Sequence, residues 1–205
     1  WNGVRVKITG IGNISPDQPQ IFVSNHQGYY DIFALSGFLP VQIRWVAKSS
    51  LFLIPFMGWA MSAAGYISVK RNNKKKSYQA FLNAIKSIKA GNSIVIFPEG
   101  TRSADGEIAP FKKGSQLLAK RAEVPMVPVT IIGTRDIIRK GSIIIEPGPV
   151  EIIVSPHVTL DGEDKKTGAE VLQAIRSTIH RNFENHLKMH STKRSKEKRA
   201  SVESL

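Results

Sequence analysis

A single α/β domain, with a mixed, largely parallel central sheet covered by helices on both faces, is what the sequence predicts from three observations. Short runs such as IFVSN (21–25) and SIVIF (93–97) are apolar without alternation, as strands buried on both faces must be. Segments with helical periodicity alternate with them along the chain. The 205 residues, 41% of them hydrophobic, suffice for one domain with a substantial core.

Taken in order, VRVKITG (4–10) alternates apolar and polar residues and reads as a strand, and IFVSN is the second. Asp31 to Leu39 reads as a helix stopped before Pro40. QIRWVAK (42–48) is a third strand. The next 21 residues, 49–69, carry no charge and by length alone could cross a membrane. Pro55, Gly58, Gly65 and four serines interrupt them, so a short apolar helix followed by the strand GYISV is the better reading, buried or pressed on a membrane. Phe81, Leu82, Ile85 and Ile88 define an amphipathic helix from Ser77 that Gly91 ends.

After the strand SIVIF come a helix at Lys113 to Ala122 and strands at MVPVTIIG (126–133), SIIIE (142–146) and VEIIV (150–154). The last helix starts at the capping box TGAE (167–170) and carries the stripe Leu172, Ile175, Ile179 and Phe183. The expected organisation is one domain over 1–190 and a basic, solvated, disordered tail over 191–205. The chain opens on Trp1 rather than Met, which is compatible with a missing N-terminal segment.

Net charge is +13, and the tail accounts for only +3 of it, so the folded part is itself basic. Such a balance favours anionic partners without choosing among nucleic acid, acidic membrane and phosphorylated small molecules. The absence of cysteine excludes disulfides, thiolate metal sites and an acyl-enzyme on sulfur. No His-x3-His pair with a third ligand occurs, so no catalytic metal is predicted.

The chemistry-bearing stretch is NHQGYYD, 25–31. In one helix, positions five apart are rotated roughly 140° from alignment, so His26 and Asp31 could not share a face. They can meet if His26 ends a strand, Gly28 permits a turn and Asp31 opens the helix. The carboxyl ends of strands are where open α/β sheets bind ligands. A general base and its orienter fit this spacing; a helix-capping Asp31 beside a polar loop histidine is the plain alternative. FPEGTRS (97–103) ends a second apolar strand, with Glu99 and Arg102 facing each other across a Gly100-Thr101 turn and Lys112 and Lys113 beyond. A guanidinium fork on such a turn suits a phosphate. Lys70 and Arg71, ending a third strand, either hold an anion or are simply solvated.

NHQGYYD, KSSLFLIPFMGW, GYISVKR, FPEGTRS, PFKKG and VPMVPV resemble, in the same order, the motifs of the glycerolipid acyltransferase family typified by bacterial 1-acylglycerol-3-phosphate acyltransferases. The resemblance covers roughly 20–135. It implies a glycerol-phosphate acyltransferase-like fold, with His26 as general base and Asp31 as its orienter. It implies an acceptor site shaped by Arg71, Glu99, Gly100, Thr101 and Arg102, with Asn25, Lys70, Lys112 and Lys113 auxiliary and the acyl donor near Val124, Pro125, Val127 and Pro128. Two departures stand out: Gly28 where many members have Ser, and Lys70 where many have Asp.

The implied reaction is acyl transfer from acyl-CoA or acyl-acyl carrier protein to the sn-2 hydroxyl of lysophosphatidate, giving phosphatidate, with no cofactor. The implied partners are lysophosphatidate, an acyl thioester, acyl carrier protein as one possible donor, and an anionic membrane surface at the cytoplasmic face of a bacterial inner or plasma membrane. Rival readings are a Ser24 nucleophile activated by His26, a different lysolipid or glycerol 3-phosphate acceptor, and a catalytically silent membrane-surface protein. A nucleic-acid binder is not expected, because the basic runs lack interleaved aromatics.

Overall fold

The computed structural model describes residues 3–70, 72–103, 105–138, 142, 144–158 and 167–203, without the side chains of 113, 119 and 190–203. Its centre is a seven-stranded sheet. The strands are β1 Arg5–Thr9, β2 Ile21–Ser24, β3 Ile43–Lys48, β4 Ile67–Val69, β5 Ser93–Ile96, β6 Met126–Ile132 and β7 Pro149–Val154. They lie in the order β1-β7-β6-β2-β5-β3-β4, and every neighbouring pair is parallel except β6 with β7. The expected mixed, largely parallel sheet is therefore present.

The central strands β2, β5 and β6 are buried at every position, which accounts for their uninterrupted apolar character. Helices α3 (Lys74–Lys89), α4 (Lys113–Ala122) and α6 (Gly168–Glu203) cover one face, joining Ile21, Val23, Ile94 and Ile96 to Ala84, Leu118, Ile175 and Ile179 in one core. The other face packs Phe22, Val95, Val127 and Val129 against α1 (Tyr30–Phe38) and the short α5 (Thr134–Ile137). A 3-10 turn at Ser49–Leu53 and the helix α2 (Met57–Ala63) follow β3. No described helix is long and apolar enough to cross a membrane.

The capping box forms as read: Thr167 N donates to Glu170 Oε2 at 2.6 Å and Glu170 N to Thr167 Oγ1 at 3.3 Å. One expectation fails. The described part of SIIIE is not a strand, and its Ile144 is 70% exposed. Its neighbour β7 already has β1 on one side and β6 on the other, so no place beside β7 is open to it. The backbone of α6 runs on helical to Glu203, through the segment expected from 191 as a solvated, basic tail. Its Lys, Arg, Glu and Ala are good helix formers, and extending a helix already nucleated upstream needs no core.

What the topology does for function is to bring several strand ends to one edge. Because β2, β5, β3 and β4 run parallel, the segments after Ser24, Ile96, Lys48 and Val69 all emerge on the same side of the sheet.

Candidate active site

Past the end of β2, Asn25 carries on the pairing with its side chain. Its Nδ2 donates to Ile131 O and its Oδ1 accepts from Ile131 N, both at 2.8 Å, so the carboxamide substitutes for a backbone pair with β6. His26 follows, leaving the sheet, and the turn Gln27-Gly28 reverses the chain into α1. Gly28 fits against the neighbouring loop so closely that a Cβ there would lie 2.6 Å from Thr134 O. Glycine at this point, one of the two departures from the family pattern, thus has a local steric cause.

The turn brings His26 Nδ1 to 2.6 Å from Asp31 Oδ2. Asp31 is wholly buried and receives three more donors. Gln27 N and Gly28 N reach Oδ2 at 2.8 and 3.1 Å, and the Thr134 hydroxyl donates to Oδ1. A carboxylate only accepts, so Nδ1 carries a proton, and in the neutral ring the lone pair is then on Nε2. The ring lies flat on Phe97, centroids 3.9 Å apart and planes within 9°, which leaves the imidazole little freedom to tilt.

The FPEGTRS loop follows β5, adjacent to β2. Glu99, 3% exposed, turns inward: Oε1 accepts from His26 N at 2.7 Å and Oε2 from Ala109 N at 3.0 Å. The expected facing of Glu99 and Arg102 across the turn is not found, since both carboxylate oxygens accept from backbone donors. Arg102 instead rests its guanidinium over Tyr29, 3.6 Å from the ring centroid. Ser103 N completes the junction by donating to His26 O at 2.8 Å. Gly100, at φ +74°, allows the Lys112 stem to cross it, and Thr101 is exposed.

Asn25, His26, Asp31, Glu99, Gly100, Thr101, Arg102 and Lys112 thus belong to one locality. Lys70 ends β4 on the same edge, three strands from β2 and about 14 Å away at ordinary strand spacing. Arg71 and the Lys113 side chain lie outside the described residues. Val124 and Pro125 are not brought to the dyad, since they enter β6 at the opposite end of the sheet, where Pro125 O accepts from Ile21 N. Val127 and Pro128 pair with Phe22 and Val23 inside the strand. Proximity in motif order did not become proximity in space.

Thr134 was missed by sequence reasoning. It follows β6 across Gly133 and lies 103 residues from the carboxylate it bonds, and the only signal was a hydroxyl residue just beyond an apolar strand.

Beside Phe97 a cavity of about 280 Å³ runs between the sheet and α3 and α4, walled by Val46, Val69, Ala80, Phe81, Phe97 and Leu118, with Gly100 and Lys112 also on its lining. A larger cleft of about 870 Å³, lined by Arg5, Gln27, Arg135 and, from α6, Phe183, His186, Leu187 and Met189, includes neither member of the dyad.

Residues 5–132 match the family model described as Acyltransferase. The chain belongs to the acyltransferase family. It is 39% identical over 152 residues to a chloroplastic 1-acyl-sn-glycerol-3-phosphate acyltransferase of Brassica napus, covering 73% of this chain and 44% of that one. With the 1-acyl-sn-glycerol-3-phosphate acyltransferase of Pseudomonas aeruginosa it shares 31% identity over 178 residues, 86% of this chain and 68% of that protein. The crystal structure of the 1-acyl-sn-glycerophosphate (LPA) acyltransferase from Thermotoga maritima superposes with a TM-score of 0.79 at 32% identity, over 90% of this chain and 73% of the other. The chain spans about half the length of the first of the curated relatives it matches. The family expected from the motifs is the family found.

Burial raises the Glu99 pKa above its ordinary 4.5, against the opposing pull of the His26 and Ala109 N–H groups. A raised folded-state pKa means the native protein holds a proton that the unfolded chain has lost. This contribution to stability is full below 4.5 and disappears as pH rises through the folded value. Urea unfolding of wild type and Glu99→Gln across that window should show wild type losing stability relative to the variant, then a constant difference above it.

Proposed function

We propose that this chain transfers an acyl group from a thioester, acyl-CoA or acyl-acyl carrier protein, to the sn-2 hydroxyl of lysophosphatidate. The observation that carries the proposal is the His26–Asp31 contact at 2.6 Å, buried on the carboxylate side and located at a strand's carboxyl end. Names of relatives at 31% to 39% identity supply the substrate class.

In this mechanism Nε2 of His26 removes the acceptor hydroxyl proton as that oxygen attacks the thioester carbonyl. Asp31 holds the tautomer that leaves Nε2 free and stabilises the imidazolium that forms. Collapse of the tetrahedral intermediate breaks the C–S bond, and His26 returns the proton to the departing sulfur. The ester and the free thiol balance the reaction, with no covalent enzyme intermediate. General-base assistance accounts for about 10²- to 10⁴-fold; positioning of the acceptor supplies more. Arg102 is suited to the acceptor phosphate, because its stack on Tyr29 orients the guanidinium while leaving its donors available. A Ser24 nucleophile finds no support: the side chain is fully buried and its hydroxyl donates to Asn25 O at 3.1 Å.

The cavity beside Phe97 fits the apolar acyl chain, since its walls are aliphatic and aromatic and it adjoins the ring stacked on His26. The lipid acceptor calls for a membrane surface, and the 3-10 turn with α2 offers the means. Leu53, Phe56 and Trp59 are 83%, 77% and 68% exposed, and Phe56 and Trp59 meet edge to face. Phe56 keeps a positive φ of 63°, a strained conformation for a bulky residue. Lys48, which pairs in register with Val69, and Lys70 just beyond flank this patch with positive charge suited to anionic headgroups.

Three outcomes test the proposal. Thiol release from acyl-CoA should depend on lysophosphatidate in wild type and fall by about 10³-fold or more in folded His26→Ala; near-wild-type turnover of that variant would refute the dyad. The assay is clean because the protein has no thiol of its own. Ala80→Leu, which fills part of the cavity, should move donor preference toward shorter acyl chains in a competition assay. Phe56→Ser with Trp59→Ser should weaken sedimentation with phosphatidylglycerol vesicles by at least about tenfold, while leaving the circular dichroism spectrum intact.

A further inference from the structure

The family match ends at residue 132, and the motif reading ends near the same point. One continuous set of hydrogen bonds, however, runs from the catalytic histidine's backbone to a helix well beyond that limit. His26 N donates to Glu99 Oε1 at 2.7 Å. Glu99 Oε2 accepts from Ala109 N at 3.0 Å. The carbonyl of Ile108 accepts from Arg176 Nη2 at 2.9 Å, and that of Ala109 from Arg176 Nε at 3.4 Å. Arg176 lies on α6, between Ile175 and Ile179 of the buried stripe.

We infer that Arg176 is a positioning residue for acyl transfer, holding the 108–109 backbone so that Glu99 in turn fixes His26. The inference rests on the acyl-transfer reading for its effect on rate, but the physical link stands apart from that reading. The segment around Ile108 has no helix or strand ladder of its own. Its backbone is held by the burial of Ile108, 4% exposed, by Lys112 N donating to Pro98 O at 2.9 Å, and by the guanidinium fork on two successive carbonyls. Only with the Ala109 N–H so aimed does Glu99 keep a donor on each oxygen, and this matters because burial already works against its charge. A freed Ala109 N–H would leave half of the carboxylate without a partner in a desolvated site, and the geometry at His26 N would relax with it. The His26 ring hangs from that backbone between Asp31 and Phe97, so small displacements there reach Nε2 directly.

The role is that of a support and not of a substrate contact. Arg176 is tied to the backbone carbonyls of Ile108 and Ala109, one hydrogen bond removed from Glu99 and two from His26. Loss of Arg176 should therefore reduce kcat and leave KM for both substrates unchanged. The effect must pass through Glu99, which distinguishes it from a general loss of stability.

Two readouts test this on the full chain, using Arg176→Met, Arg176→Lys, Glu99→Gln and the double variant Arg176→Met/Glu99→Gln. The first is backbone amide exchange by NMR, which needs no activity. Arg176→Met should speed exchange at His26 and Ala109 relative to the rest of the sheet, and Arg176→Lys should give intermediate protection. The second is steady-state thiol release well below the melting temperature. Arg176→Met should lower kcat by about 10- to 100-fold, with Arg176→Lys partly restored. In the Glu99→Gln background the same substitution should change kcat by no more than about twofold.

Unaltered exchange at His26 and Ala109 together with wild-type kcat would overturn the inference, and so would losses that simply multiply in the double variant. If Arg176→Met does not fold, Arg176→Lys decides alone: partial loss in exchange protection and kcat supports the role, and wild-type values for both overturn it. If wild type itself transfers no acyl group, the exchange data still settle the link from Arg176 to His26, and it is the functional reading that fails.

Discussion

The structure depends most on the burial of the Asp31 carboxylate. A charge taken wholly out of water is costly unless its lone pairs are filled, and here four donors fill them: the His26 ring, the Gln27 and Gly28 N–H groups and the Thr134 hydroxyl. Those donors come from the end of β2, from the turn into α1 and from the junction of β6 with α5. The site exists only where β2 and β6 are parallel neighbours, so the strand order is a requirement of the carboxylate as much as of the core.

Glu99 repeats the arrangement one strand over. It too turns inward, it too spends its oxygens on N–H donors, and one of those donors is the backbone of the very histidine whose ring Asp31 holds. His26 is thus held twice, by ring and by chain, from two different loops. This double hold leaves Nε2 as the one uncommitted nitrogen of the ring, whose face is stacked on Phe97 beside the apolar cavity. Rigid support of a single free atom is what general-base chemistry needs, since a misplaced base loses far more than a weaker one.

Much of the fold was legible in the sequence, because buried parallel strands are written as unbroken apolar runs and α3, α4 and α6 as amphipathic stripes. SIIIE misled for the same reason: its composition is that of a strand, but pairing depends on an open neighbour, and β7 had none. The dyad was legible because both members lie within one strand-turn-helix unit. Long-range partners were not. Thr134 and Asp31 are 103 residues apart and Glu99 and His26 are 73 apart, and no local pattern reports such contacts. Glu99 and Arg102, read as facing each other across their turn, diverge because the carboxylate turns inward to backbone donors and the guanidinium rests on Tyr29. Val124 and Pro125 lie away from the dyad because a strand separates its two ends by its full length.

The central claim is that Asp31 fixes His26 with its proton on Nδ1 and its lone pair on Nε2. Nitrogen-15 NMR of protein labelled in its histidine rings, recorded near neutral pH, tests it most directly. The account predicts a protonated, pyrrole-type Nδ1 and a bare, pyridine-type Nε2 for His26, with that preference lost in Asp31→Asn. A proton on Nε2 in the wild-type protein, or a tautomer indifferent to Asp31, would contradict it.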